Sequence, residues 1–546
     1  MIDGIGSPGT VHTGGGVHCL VSRIVLLLVV TLSACIGPQL AAEHDPAQVI
    51  AGDGEGLLWA RVSTTVASAR LNPIQAVLEV QLLDGGAVRD FLFGSYLVPC
   101  RSAGSAYSLV FLGSLPPGEY QIRTFISGTT QLVSAPFGDR LPSFAIEAGK
   151  ITDYGAIVLD FESLYTSGTR GSFAFFHVAQ EDLEPSFLEA TDSQAIAAFR
   201  TRASDVAAGP PHGGAPPVAQ QRLPTALRAR LEVARQASDV TARSRPESVS
   251  PGVLGTTLGQ VRIWNSRARA LERLDTSRMA AVTSVLARGE GLLIGFDDGV
   301  LMQRESGESG AWRRLPSPLP AGAILLLAEV SRDRVLAVLE RSGFCVVMES
   351  ESLEQGAWRE LGRFSLFADG LGEMTLRPGV GAAGGRLVLT IPRPGAWFYG
   401  LDAHELDLDS GAWTVSPIEG GLPTLHVLES GVLLSVVGAD GLRVSEDGGR
   451  SWRSVPCPER TRLVAFRDRD TLYAKVPDQF SAITGDSGDY SLWTSFDGGG
   501  TWTRGQSLPA FLKTLQVLPD GGALLVSDLI GALYLSTDGG RSWRVQ

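Results

Sequence analysis

Short stretches in which apolar and polar residues alternate recur along most of the chain, with turn-forming residues between them. Residues 77–82 alternate and are followed by Asp84-Gly85-Gly86, and the apolar run 292–301 is broken by Asp297-Asp298-Gly299. Alternation places successive side chains on opposite faces of a strand, and glycines suit tight turns. Glycine supplies 65 of the 546 residues, against an average usage of about 7%. The pattern predicts a mainly β chain built from many short strands.

A motif of the form S-x-D-G-G-x-S/T-W occurs three times in the C-terminal half. Its defining residues are Ser445, Asp447, Gly449 and Trp452, then Ser495, Asp497, Gly499 and Trp502, and finally Ser536, Asp538, Gly540 and Trp543. Degenerate copies that keep only a Gly-Ala-Trp ending place tryptophans at 312, 358 and 413. The six tryptophans are separated by 46, 55, 39, 50 and 41 residues. A four-stranded propeller blade occupies about 40–50 residues, so this spacing predicts a β-propeller.

The residues of the motif suit a hairpin turn. The Asp carboxylate can accept hydrogen bonds from turn N–H groups, the glycines can take positive φ, and the Trp can lock the turn against its own blade. The motif matches the Asp-box, or BNR repeat, of sialidase-like propellers, and the array resembles propellers of the photosystem II assembly factor type. This resemblance implies a propeller over residues 246–546 in which the Asp-boxes are structural and lie away from any site of chemistry.

Six clear copies and one divergent copy at 253–262 favour seven blades, with six as the alternative. We expect the ring to close by borrowing a strand from the segment before residue 253, which would protect open sheet edges. Propeller ligands bind loops on one face. The longest departures from the repeat, 366–386 and 478–490, are therefore the candidate binding loops.

Two regions precede the predicted propeller. Residues 55–162 contain strand signals and a Leu-Pro-Pro-Gly-Glu-Tyr turn at 115–120, which resembles transthyretin-like and carboxypeptidase-regulatory modules and implies an accessory β-sandwich. Residues 163–245 read as a helical connector with a Pro/Gly-rich linker. Within it, Leu223, Leu227 and Leu231 recur at helical spacing among arginines. This stripe is expected to pack on a neighbouring domain, the alternative being a helix on a membrane surface.

The N-terminal segment carries export signals. Arg23 precedes an apolar run at 24–30, which is too short to span a bilayer that needs about 20 helical residues. Residues 32–35 match the bacterial lipobox, so the segment resembles a lipoprotein signal, in which the Cys35 thiol becomes acylated after cleavage. The alternative is an ordinary secretory signal. We expect a signal peptide at 1–34 and a tether at 35–54. Ile36, where an Asp would indicate inner-membrane retention, favours the outer membrane.

Composition and motifs narrow the possible functions. The 46 Lys and Arg against 58 Asp and Glu give a charge of −12, which argues against nucleic-acid binding. Cys100, Cys345 and Cys457 could form one disulfide, but the sequence does not select the pair. The seven histidines show no metal-ligand spacing, and no cofactor is expected. Sialidase chemistry needs an arginine triad, a Tyr nucleophile with a Glu, and an acidic Asp. This set of residues is not recognisable in the sequence. Asp297-Asp298 is predicted to form a turn.

The sequence therefore predicts an envelope lipoprotein attached to the membrane by its N-terminal lipid. Its propeller would act as a non-catalytic scaffold that binds an envelope protein. The alternative is a surface protein that binds or hydrolyses glycans. No complete catalytic motif is found.

Overall fold

The computed structural model describes residues 54–545 with gaps, of which the longest are 66–75, 162–172, 179–228 and 368–377. Residues 1–53, including the predicted signal peptide, Cys35 and almost all of the tether, lie outside the described residues. The described chain forms an N-terminal pair of sheets followed by a series of seven small sheets, all within one compact unit.

The N-terminal part contains eleven strands in the described residues. They are β1 (Gly56–Thr64), β2 (Val77–Asp84), β3 (Ala87–Val88), β4 (Ser95–Leu97), β5 (Pro99–Gly104), β6 (Ser108–Leu115), β7 (Gly118–Ser127), β8 (Val133–Pro136), β9 (Ser143–Ile146), β10 (Ile151–Phe161) and β11 (Phe173–Val178). One sheet has the order β11-β10-β1-β6-β5, and the other has β3-β2-β7-β8, with β4 paired to β2 and β9 to β7. Strands β1 and β10 run parallel.

The two N-terminal sheets share one apolar core. Leu58, Ala60 and Val62 of β1 join Phe111 of β6 and Phe125 of β7 in this core. Because side chains alternate along a strand, Trp59, Arg61 and Ser63 point away from it. These outward residues are nevertheless fully buried, so a second layer covers them. For Arg61 and Ser63 that layer is the propeller, which both side chains contact.

The propeller is a series of four-stranded sheets. Their strands are β12 (Val240–Arg243), β13 (Val253–Thr256), β14 (Gln260–Asn265) and β15 (Ala270–Asp275); β16 (Val282–Arg288), β17 (Gly291–Phe296), β18 (Leu301–Arg304) and β19 (Trp312–Arg314); β20 (Ala323–Glu329), β21 (Val335–Arg341), β22 (Phe344–Ser352) and β23 (Ala357–Ser365); β24 (Gly379–Ala383), β25 (Arg386–Pro392), β26 (Leu401–Asp407) and β27 (Trp413–Ile418); β28 (Thr424–Val427), β29 (Leu433–Val437), β30 (Gly441–Ser445) and β31 (Arg453–Val455); β32 (Leu463–Phe466), β33 (Leu472–Pro477), β36 (Tyr490–Ser495) and β37 (Thr503–Leu508); and β38 (Thr514–Val517), β39 (Leu524–Ser527), β40 (Leu533–Ser536) and β41 (Arg544–Val545). A two-stranded hairpin, β34 (Phe480–Ser481) with β35 (Gly485–Asp486), interrupts the sixth sheet.

Each of the seven sheets is an antiparallel meander whose strands follow one another in chain order, apart from that hairpin. Apolar clusters join every sheet to the next one along the chain. A further cluster joins the last sheet to the first through Leu518, Leu533 and Leu535 on one side and Leu254 and Trp264 on the other. The sheets thus form a closed ring, and the mainly β propeller fold predicted from the repeat is confirmed.

The ring closes differently from the sequence prediction. A strand does occur before residue 253, but this strand, β12, pairs with β13 inside the first sheet. The seventh sheet completes itself with β41, which pairs with β40. Closure therefore depends on packing between complete sheets and not on a borrowed strand.

The predicted helical connector at 163–245 contributes two strands to its neighbours. β11 pairs with β10 of the N-terminal sheets, and β12 belongs to the propeller. The 173–178 segment has large apolar residues at strand spacing, which the connector assignment overlooked. Helix is present at 229, 231, 232 and 235. There Leu231 is buried, and Arg235 Nη1 donates to Asp275 Oδ2 at 2.8 Å, so this part of the helix contacts the first propeller sheet. Leu223 and Leu227 lie outside the described residues.

Candidate functional site

Strand direction divides the propeller loops between two faces. In a four-stranded antiparallel meander, the turns between the first and second strands and between the third and fourth lie at one end. The turns between the second and third strands, and the links to the next sheet, lie at the other end. The Asp-box motifs join third and fourth strands, so we call their end the box face. We call the opposite end the junction face.

The box at Ser495 has a closed hydrogen-bond network. Ser495 Oγ donates to Asp497 Oδ1 at 2.8 Å and accepts the N–H of Gly499 at 2.8 Å. The N–H and the hydroxyl of Thr501 donate to the two oxygens of Asp497 at 2.8 and 2.7 Å. Because these donors, first the backbone N–H of Thr501, favour the carboxylate, they lower the pKa of Asp497 to about 2. The carboxylate serves the turn itself.

The box at Ser536 repeats this network. Ser536 Oγ donates to Asp538 Oδ1 and accepts the N–H of Gly540, each at 2.7 Å. Ser542 donates to Asp538 from its N–H at 2.9 Å and from its hydroxyl at 2.6 Å. Although burial acts to raise the pKa of Asp538, these hydrogen bonds lower it to about 2. Of the third box, Ser445 is buried and Trp452 packs against a core cluster, while Asp447 and Gly449 lie outside the described residues.

A box-like turn also occurs at a degenerate copy, on a residue that the motif did not indicate. Asp407 Oδ1 accepts the N–H groups of Asp409 and Ser410 at 3.1 and 2.8 Å and the hydroxyl of Ser410 at 2.9 Å. These bonds, led by the N–H of Ser410, lower the pKa of the Asp407 carboxyl. The capping carboxylate thus comes from the end of the third strand, six residues before Trp413.

The motif tryptophans join neighbouring sheets, whereas the sequence interpretation placed each one against its own blade. Trp413 Nε1 donates to the carbonyl oxygen of Leu361 in the preceding sheet at 3.2 Å, and Trp502 Nε1 donates to that of Pro456 at 2.8 Å. All six pack against clusters shared with the preceding sheet; they are Trp312, Trp358, Trp413, Trp452, Trp502 and Trp543. The first sheet has no such residue, and Trp264 of its third strand occupies the closing interface.

A cleft of about 200 Å³ lies on the box face between the fifth and sixth sheets. Its lining includes Arg453 of the fifth sheet, Arg469 and Asp470 of the β32–β33 turn, and Asp497 of the box. Phe496, the residue before Asp497 on the box turn, is 71% exposed. The other two complete boxes carry Glu446 and Thr537 at this position, so the turn does not require an aromatic residue. An exposed aromatic residue on the same turn as an arginine-lined cleft is suited to binding a partner.

The most strongly charged buried cluster lies on the junction face. Arg61 of the N-terminal sheets places Nη2 2.6 Å from Asp298 Oδ2, and Nη1 lies 3.5 Å from Asp297 Oδ1. Arg278 Nη2 contacts Asp298 Oδ2 at 2.7 Å, and Ser108 Oγ donates to Asp297 Oδ2 at 2.6 Å. The side chains of both arginines and both aspartates are fully buried. Two cations and two anions thus balance within one cluster.

This cluster fixes the N-terminal sheets to the propeller. Burial acts to raise the pKa of Asp298, but Arg278 and Arg61 lower it to about 2, so the carboxylate stays ionised. Ser63 Oγ donates to the carbonyl oxygen of Met279 at 2.7 Å, and Thr257 Oγ1 donates to that of Thr65 at 3.0 Å. We call these contacts the junction. Asp297 and Asp298 therefore bind the N-terminal sheets as well as forming a turn.

By topology, residues 478–490 and 366–378 of the predicted binding loops belong to the junction face, and the turn at 384–385 belongs to the box face. Residues 478–490 connect the second and third strands of the sixth sheet and include the β34–β35 hairpin. The predicted loop 366–386 is not one loop: residues 366–378 link the third sheet to the fourth, with 368–377 outside the described residues, whereas 379–383 form β24 and 384–385 are the turn from β24 to β25. Across the described segments, His, Cys, Asp and Glu side chains form no group of three or more that could hold a metal ion. Cys345 and Cys457 are free thiols. None of the helical residues described belongs to a segment long and apolar enough to cross a membrane.

No protein-family model and no curated protein sequence matches the chain. Among solved structures, it is similar to YCF48 from Cyanidioschyzon merolae at 17% identity, over 55% of this chain and 93% of that one, with a TM-score of 0.37. It is also similar to YCF48 bound to D1 peptide, at 15% identity over 55% and 92%, with a TM-score of 0.40. A third similar structure is the β-propeller domain of Cps50 (Swd1) from Myceliophteria thermophila, at 13% identity over 55% and 97%, with a TM-score of 0.37. Similarity at this level carries no argument about function, and the propeller assignment rests on the closed ring of sheets.

Proposed function

We propose that this protein is a lipid-anchored envelope scaffold whose propeller binds a protein partner on the box face, without catalysis. The observation that carries the proposal is Phe496, an exposed aromatic side chain on a turn fixed by a closed hydrogen-bond network. Aromatic and arginine side chains provide much of the binding energy at protein interfaces. Phe496 and the cleft containing Arg453 and Arg469 combine both on one rigid surface.

The box face is also favoured because the N-terminal sheets contact the opposite face of the propeller. On the junction face, contacts with the N-terminal sheets involve residues of the first and second propeller sheets. The cleft lies on the opposite face, between the fifth and sixth sheets, so a partner there would leave the junction in place. The box carboxylates Asp497 and Asp538 are held ionised by the turn donors, which suits a structural role better than proton transfer.

We expect Phe496→Ala to lower affinity for the partner by at least about tenfold, because truncating a central aromatic anchor commonly costs 2 kcal/mol or more. The assay is capture from solubilised envelopes with the mature protein, followed by titration of the identified partner. Thr537→Ala, at the same position of the seventh-sheet box, is the matched control and should leave binding unchanged. Equal capture by all three proteins would refute the box-face site. Retention of oligosaccharide in place of protein would favour the glycan-binding alternative.

We expect Cys35→Ser to release the protein from the membrane fraction, since the lipobox resemblance makes the Cys35 thiol the acylation site. The measurement is fractionation of cells labelled with a fatty-acid analogue. The wild-type protein should carry label and sediment with outer membranes, and the variant should do neither. A variant that stays membrane-bound would show that attachment does not depend on lipidation of Cys35.

A further inference from the structure

We propose that the N-terminal sheets dock onto the propeller through a proton-linked contact, which is tight in acid and loosens towards neutral pH, with Asp153 as the titrating group. The junction contains two arginines and two aspartates whose charges balance. Asp153 adds one more ionisable group on the same side of the N-terminal sheet.

The position of Asp153 follows from strand register. Asp153 of β10 is the neighbour of Trp59 on β1, and both lie on the side of the sheet that faces away from the shared apolar core. This is the side from which Arg61 enters the propeller. The next residue, Tyr154, points into the core, as alternation requires. Asp153 therefore lies on the propeller-facing side, and it is only 4% exposed.

The surroundings of Asp153 disfavour its ionised form. Oδ1 accepts the N–H of Gly155 at 2.9 Å, while Oδ2 is buried with no hydrogen-bond partner among the described residues. Desolvation raises the pKa of Asp153 to about 7, against the opposing effects of the Gly155 N–H and of Arg61. A lone buried carboxylate is costly, so the group takes up a proton instead.

The charges around Asp153 explain why Arg61 does not keep it ionised. On β1, Arg61 is the cation that acts on Asp153, but both of its Nη groups contact the propeller carboxylates Asp297 and Asp298. From the propeller, Arg278 completes the balanced set of four charges. On β11, His177 Nε2 lies 2.7 Å from the carbonyl oxygen of Tyr154, which is the residue after Asp153. Ionising Asp153 would therefore add a buried negative charge, without an ion-pair partner of its own, on the side of the sheet that carries the junction.

The pH dependence follows from the difference between docked and released states. In the docked state the pKa of Asp153 is about 7, and in a solvated state it returns to about 3.8. The docked state therefore binds the proton more tightly. The stability that the proton on Asp153 gives to the docked state is complete at pH values below about 3.8. It is lost as the pH rises to about 7. Between these limits the docking equilibrium constant falls about tenfold per pH unit, and above pH 7 it levels off.

The test compares the mature wild-type protein with Asp153→Asn, which keeps the shape of the side chain and removes its titration. Infrared spectroscopy should show the C=O band of a protonated carboxyl group at pH 5, lost with a midpoint near 7, and absent from Asp153→Asn. Hydrogen exchange of β1 and of residues 276–282, corrected for intrinsic rates, should show opening about 50-fold more often at pH 7 than at pH 5 in the wild type. Asp153→Asn should show no such change.

Asp139→Asn is the control, because Asp139 is an exposed carboxylate in the same N-terminal part. It should behave as the wild type in both measurements. A carboxyl band that titrates near 4, or the same exchange profile in Asp153→Asn and the wild type, would overturn the proposal. A band that titrates near 7 without a change in junction exchange would also overturn it, since the proton would then not be linked to docking.

Discussion

Replacing Arg61 with alanine is expected to lower the free energy of unfolding by about 3–5 kcal/mol, the usual cost of removing one partner from a buried ion pair. The loss is large because Asp297 and Asp298 would stay buried after the guanidinium that contacts both of them is gone. Arg278 would still contact Asp298. Urea unfolding followed by circular dichroism, with midpoint and slope compared, measures the change.

Lys150→Ala provides the comparison for this experiment. Lys150 also forms an ion pair in the N-terminal part, with Glu147, but both side chains are nearly half exposed. Exposed pairs contribute about 0–1 kcal/mol, so this variant should be close to wild type. If Arg61→Ala is no more destabilising than Lys150→Ala, the junction does not hold the N-terminal sheets as we describe.

Gly499→Ala is expected to destabilise the protein by about 2–4 kcal/mol through overpacking and backbone strain. Gly499 has φ +90°, and a Cβ atom there would lie 2.2 Å from Val455 Cγ1 in the preceding sheet. The variant would force apart the contact between the fifth and sixth sheets. The same unfolding assay measures it.

The neighbouring Gly498 separates steric contact from backbone strain. Gly498 also has positive φ, +68°, but a Cβ atom there would meet nothing closer than 3.5 Å. Gly498→Ala should therefore cost only about 1 kcal/mol, from strain alone. Equal losses in the two variants would contradict a role for Gly499 in the contact between sheets.

The repeat made the propeller predictable, because its residues act within a few positions of one another. Ser495, Asp497 and Thr501 lie within seven residues, so their hydrogen bonds can be foreseen from the motif. The packing of Trp502 against the preceding sheet cannot be foreseen from the motif, because its partner Pro456 lies 46 residues away. Local patterns report turns, whereas contacts between sheets depend on the closed ring.

The junction could not be predicted from the sequence either, because its residues are even farther apart along the chain. Arg61 and Asp298 are 237 residues apart, and each has an ordinary local explanation, one as a strand residue and the other as a turn former. The acidic pair 297–298 was noticed in the sequence but interpreted only as a turn. Nothing near Asp153 in the sequence indicates that it is only 4% exposed, because its burial depends on the packing of the folded chain.

The closing interface of the ring has a consequence for biogenesis. Leu254 and Trp264 pack against Leu518, Leu533 and Leu535, which belong to the seventh sheet and follow them by six sheets along the chain. Contacts between distant segments form slowly, and apolar surface exposed in the meantime promotes aggregation. The apolar side of the first sheet that faces this interface therefore stays uncovered until the seventh sheet has formed. We expect this joining step to set the pace of folding, and the first sheet to be the segment most prone to aggregation before it.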